Sequence, residues 1–182
     1  MTLIEHLKQL PDFRKARGQR HSQWLLLLLL LLGAMSGYWG YRPLAEFTQR
    51  YGSAIYAELN LPPQTRLPSY STFRRLMQGL DYTVLATMFT DWASTEPTLC
   101  QEDWLAGDGK ALGATLTHHK GTEQNFVSLV SVFGHHASKV IGVMPMENKR
   151  ESEQVVLRRL LEYLNLQGVG MTMDALHCQK KR

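Results

Sequence analysis

The chain has 182 residues, of which 44% are hydrophobic and 20% charged, and a formal net charge of +4. That composition excludes a disordered polymer and fits one ordinary domain, or a small one with part of another. The mild positive charge permits a nucleic-acid partner without requiring one, and two distant cysteines, Cys100 and Cys178, form neither a disulfide framework nor a zinc spacing, so a cytoplasmic protein is expected.

Up to about residue 98 the chain reads as helices. Thr2 is placed to cap TLIEHLKQL, which Pro11 closes. A polar basic stretch, DFRKARGQRHS, precedes the run WLLLLLLLLGAM, with Ser22 in position to cap it. That run of about a dozen apolar residues falls short of the ~20 a bilayer crossing needs. Gly33, Gly37 and Gly40 weaken any extension, so a helix buried on all sides is expected, and no membrane partner. Arg42-Pro43 reads as a break before PLAEFTQRYGSAIYAEL, where Leu44, Phe47, Tyr51 and Ile55 recur at helical spacing. NLPPQTRLP reads as loop. Ser69 then caps YSTFRRLMQGL, and Asp81 or Thr83 caps TVLATMFTDWAS.

From about residue 99 the period becomes that of strands. EDWLAGDGKAL is a short strand, and NFVSLVSVFGHHASKVIGVMPM a hairpin around GHHASK. NKRESEQVVLRRLLEYLNLQ is the clearest helix: Val156, Leu160 and Leu164 share a stripe with Leu157 and Leu161, and Gly168 is placed to end it. GVGMTMD is a closing strand. A crossover helix between strands of one sheet makes them parallel. The expected class is therefore α+β: a helical segment over 1–98, then over 99–182 a three-strand meander, a crossover helix and a fourth strand.

Asp108 lies in the first strand and Asp174 at the end of the last. Alternation puts Asp108 on the face of Ala106, and Asp174 on that of Thr172. In neighbouring strands ~4.8 Å apart the two carboxylates converge. Two bare carboxylates repel, and a divalent cation removes the conflict. Magnesium, usually held by one or two carboxylates, activates a nucleophile and neutralises a phosphodiester. Lys110 falls on the same face, in reach of a phosphate. The plainer reading stays open, since an aspartate at a strand end is commonly a turn residue or helix cap, and DG is a turn dipeptide.

Among the remaining candidates, Arg14, Lys15, Arg17 and Arg20 either track a DNA backbone or form a solvated loop. SYSTFRRLMQGL, with Arg74 and Arg75, looks like the second helix of a helix-turn-helix, as does any capped amphipathic helix. The pairs His118-His119 and His135-His136 lack a helical zinc spacing and read as surface residues. Cys178 reads as a small buried residue.

Taken in order, PDFRKARGQRH, RPLAEF, PSYSTFRRLMQGLD, DGKAL, NFVSLVSVF, the ESEQ helix and MDALHCQ resemble the H-repeat-associated transposases of bacterial insertion sequences, from about Leu3 to Gln179. The resemblance implies a helical N-terminal domain and a ribonuclease-H-like catalytic domain. It places the family's first two catalytic aspartates on Asp108 and Asp174, with magnesium (or manganese) as cofactor and the element's terminal repeats as DNA partner. The family's third catalytic residue is a glutamate on a later helix, in a region this chain lacks together with the fifth strand. Glu151 and Glu153 only open the crossover helix, where acids favour the positive helix end. The expectation is thus the first half of such an enzyme, inactive alone, paired with a second copy or a complementing C-terminal half. The alternatives are a non-catalytic DNA-binding regulator of transposition and a remnant without a stable fold.

Overall fold

The computed structural model describes residues 2–62, 65–94, 104–112 and 126–174, in two compact units that meet between Asp81 and Tyr82. The first unit holds α1 (Leu3–Gln9), a 3-10 turn (Ala16–Gly18), α2 (Gln23–Met35), α3 (Tyr41–Glu58) and α4 (Tyr70–Gly79). Thr2 starts α1 with a reciprocal cap: its Oγ1 accepts from the Glu5 N–H at 3.3 Å, and its own N–H donates to Glu5 Oε2 at 2.7 Å.

The leucine helix α2 is core, as its length and composition demand. Leu25 through Leu29 are all buried, and with Leu7, Leu44, Phe47, Phe73 and Leu76 they form the centre of the unit. No helix among the described residues is long and apolar enough to cross a membrane. Two local expectations need correction. Ser22 stands at the N-cap of α2, and Ser69 at that of α4, but neither side chain makes the capping hydrogen bond. The break before α3 falls at Gly40, whose φ of 97° only glycine adopts easily, and not at Arg42-Pro43. Pro43 sits inside the first helical turn, where a missing N–H costs nothing.

The second unit holds α5 (Tyr82–Ser94), β1 (Trp104–Ala111), β2 (Val127–Gly134), β3 (Lys139–Glu147), α6 (Glu153–Leu164) and β4 (Gly170–Met173). Its sheet has the order β3-β2-β1-β4, with β1–β2 and β2–β3 antiparallel and β1–β4 parallel. The chain is therefore α+β with a mixed four-stranded sheet, and α6 is the crossover that parallel pairing requires. The change of periodicity near residue 98 and the unit boundary at 81 differ because α5 packs against β3.

One face of the sheet carries the core. Leu105, Val130, Val132, Ile141 and Met146 pack against Val156, Leu157 and Leu160 of α6. Helix and sheet approach so closely that a Cβ on Gly107 would stand 2.9 Å from Leu157 and 3.0 Å from Met171. Asn165, in the left-handed region at φ 46°, ends α6; Gly168, which the sequence offers for that role, lies in the link to β4.

The free edge of β3 is covered by a side chain. Thr90 of α5 accepts from the Val143 N–H at 3.0 Å and sits 3.0 Å from the Val143 carbonyl oxygen. One hydroxyl thus stands in for a neighbouring strand at that residue.

Candidate functional site

Asp108 lies inside β1, opposite Ser131 of β2, and the strand continues to Ala111. The turn reading of Asp108-Gly109 is thereby overturned: Gly109 is a paired strand residue, opposite Val130. Between β1 and β4 the register runs Trp104–Gly170, Leu105–Met171, Ala106–Thr172 and Gly107–Met173. Asp108 and Asp174 each follow that last pair directly, and both are exposed. Thr172 Oγ1 donates to the Leu105 carbonyl at 3.1 Å and ties β4 to β1 just before the two acids.

The glycines reveal which face the acids occupy. Gly107 lies under Leu157 and Gly109 under the Glu153 side chain, so this side of β1 faces α6. Asp108, between them, points to the opposite face by alternation, with exposed Lys110 beside it. Alternation carried one residue past Met173 sets Asp174 on that same face. Glu153 therefore lies across the sheet from Asp108, while Glu151 is ion-paired with Arg159. Among the described residues no three or more His, Cys, Asp or Glu side chains cluster as a metal site. What these strands bring to one face is a pair of exposed carboxylates, the oxygen chemistry that a hard cation such as magnesium takes.

The basic candidates separate into two kinds. Arg14 is committed internally: it meets Asp12 at 2.8 Å and donates to the Gly18 and His21 carbonyls at 3.0 and 2.8 Å. This interaction holds the Asp12 carboxyl below its usual range. Lys15, Arg17 and Arg20 line a cleft of about 350 Å³ together with Arg66 and Arg75. Arg74 does not line it. His21 forms part of the wall and is only 8% exposed. Burial, and then the charges of Arg20, Arg14 and Arg66, hold its imidazole below the ordinary histidine pKa. Sequence reasoning missed Arg66 and His21. Arg66 lies in a segment with no periodicity to mark it, and nothing local distinguishes His21 from any loop histidine.

His135 and His136 are exposed in the β2–β3 turn, as read from the sequence. His118, His119, Cys100, Cys178 and the MDALHCQ motif beyond Asp174 lie outside the described residues.

Residues 4–93 match the DDE_Tnp_1-associated family. Over nearly its whole length the chain is a relative of the H-repeat-associated transposases. It is 25% identical over 180 residues to the "H repeat-associated putative transposase YhhI" of Escherichia coli strain K12, covering 98% of this chain and 46% of that one. The "Putative protein YbfL" of the same strain gives the same identity and coverage. The "H repeat-associated putative transposase YbfD" is 24% identical, covering 98% of this chain and 68% of that one. The chain thus spans about half the length of YhhI and YbfL. No solved structure matches it.

Proposed function

We propose that the chain acts in DNA transposition, with Asp108 and Asp174 as the first two metal ligands of a ribonuclease-H-like centre that cuts and joins DNA phosphodiesters. The observation that carries this reading is the shared position of the two acids, one residue past the Gly107–Met173 pair, on the sheet face away from α6. The names of the relatives support the DNA substrate. Magnesium, with manganese as its substitute, supplies charge neutralisation at the phosphodiester and a lowered pKa for the attacking water or hydroxyl. The chain's own residues bind and orient. The two carboxylates fix the cation, and Lys110 meets a phosphate oxygen on the same face. The tight Gly107–Leu157 approach keeps that rung from shifting. In this reading the two carboxylates make an incomplete donor set, and the chain by itself binds cation and DNA without cleaving.

A second reading, a non-catalytic DNA-binding regulator, draws on the basic cleft of the N-terminal unit. Linkage separates the two. If DNA phosphates complete the coordination of the ion, DNA and cation must each tighten the other's binding by the same factor. Manganese binding, followed by its paramagnetic resonance signal, is expected to strengthen several-fold when duplex carrying the element's ends is present. That gain should vanish in Asp108→Asn. DNA that binds yet leaves manganese affinity unchanged would favour the regulator.

A further inference from the structure

The cleft in the N-terminal unit is more than a basic surface. Its cations come from three places in the sequence: the stretch from Lys15 to Arg20, the linker residue Arg66, and Arg75 one turn into α4. Lys15, Arg17, Arg20, Arg66 and Arg75 have no ion-pair partner among the described residues, although Asp12 stands close enough to hold Arg14. Like charges gathered without counter-charge repel, and a fold tolerates such a cluster where an anion relieves it.

The walls are also organised before any ligand arrives. Arg14 clamps the 14–21 segment through the Gly18 and His21 carbonyls, and Gln19 donates back to the Arg14 carbonyl at 2.7 Å. The opposite wall is the start of α4. There Ser69 makes no capping bond to a helix N–H; its hydroxyl instead lies 3.0 Å from that of Ser71 and 3.2 Å from that of Thr72. The Thr72 and Phe73 amides donate instead to the Ser69 carbonyl, at 2.9 and 3.2 Å, and this end of the ten-residue helix is the one where the helix dipole favours negative charge. Independently of the helix, the buried His21 ring lines the cleft and has no hydrogen-bond partner among the described residues.

We infer that the cleft between residues 14–21 and the first turn of α4 is a phosphate clasp, which takes a backbone phosphate of DNA. Arg66 and Arg75 close on its oxygens from one side, Arg17 and Arg20 from the other, and the Ser69 and Thr72 hydroxyls stand at its base. This deepens the DNA reading above and rests on it. Phosphate contacts of this kind fix the position of a duplex and carry no base sequence directly.

The test is duplex binding by fluorescence anisotropy across a salt series, on the whole chain and on Arg66→Gln/Arg75→Gln, with Arg74→Gln as the neighbour outside the cleft. Each phosphate no longer neutralised should lower the salt slope by about one. The double variant, which leaves the clasped phosphate without two of its cations, is therefore expected to fall by about one in slope and at least tenfold in affinity at low salt, while Arg74→Gln stays near wild type. The His21 ring proton signals, followed by NMR, should shift on adding duplex; a shift of equal size with millimolar inorganic phosphate alone would reassign the clasp to free phosphate. If the double variant binds DNA with unchanged affinity and slope, the clasp is wrong while DNA binding stands. If wild type fails to bind DNA at all, the DNA reading itself falls.

Discussion

Replacing Thr90 by valine removes one hydroxyl and almost nothing else. Thr90 is 1% exposed, and its Oγ1 is 3.0 Å from each of the Val143 nitrogen, the Val143 carbonyl and the Ala86 carbonyl. The hydroxyl has a single proton to share between the two carbonyls, but it is the acceptor for the Val143 N–H. Valine keeps the volume and leaves that N–H facing a methyl group. Stranding a buried donor costs about 1–3 kcal/mol, and each kcal/mol corresponds to about 4–8 °C in the melting midpoint of a domain near 100 residues. Thr90→Val should therefore lower the midpoint of the second unit by at least about 4 °C. It should also open the β3 edge, read as faster amide exchange at Val143. Thr90→Ser keeps the hydroxyl and should retain the Val143 protection. A Thr90→Val protein with wild-type denaturant midpoint and wild-type exchange at Val143 would refute the edge-capping account.

Two further outcomes follow from local structure. Asn165 ends α6 in the left-handed region, where an alanine Cβ is strained, so Asn165→Ala should cost about 1 kcal/mol in chemical denaturation and Asn165→Gly close to none. His21 is held below the ordinary histidine value of 6.5, first by burial and then by Arg20, Arg14 and Arg66. The unfolded chain then binds the proton more readily than the folded one, so the stability contribution is complete above pH 6.5 and declines as pH falls below it. His21→Gln should flatten that part of the stability–pH profile, and an unchanged slope would show that His21 is not its source.

The elements legible in the sequence are those written as a period. The leucine helix, the β2–β3 hairpin and the α6 stripe each repeat one pattern long enough to be unambiguous, and the crossover helix implies that the strands it joins run parallel, without naming β1 as the neighbour of β4. Termini are harder, because a cap depends on the conformation of one residue. Asn165 and Gly168 both suit a left-handed turn, and only the path into β4 decides between them. Pro43 looks like a break because proline is tolerated in a first turn as readily as before one. At the candidate site, alternation alone places the two aspartates on faces, whereas the strand order needs the fold. The basic cleft is only half visible: the run Arg14–Arg20 announces itself by composition, but Arg14 is held by Asp12, and Arg66 enters through the folding of an irregular linker.

The central claim, that Asp108 and Asp174 grip one divalent cation together, is met most directly by a double-mutant cycle on manganese affinity. Calorimetric titrations of wild type, Asp108→Asn, Asp174→Asn and the double variant should show each single change weakening binding at least tenfold, with the second change adding little to the first. Strictly additive losses, or singles that bind as wild type does, would contradict a shared ion and with it the transposition chemistry assigned to this sheet.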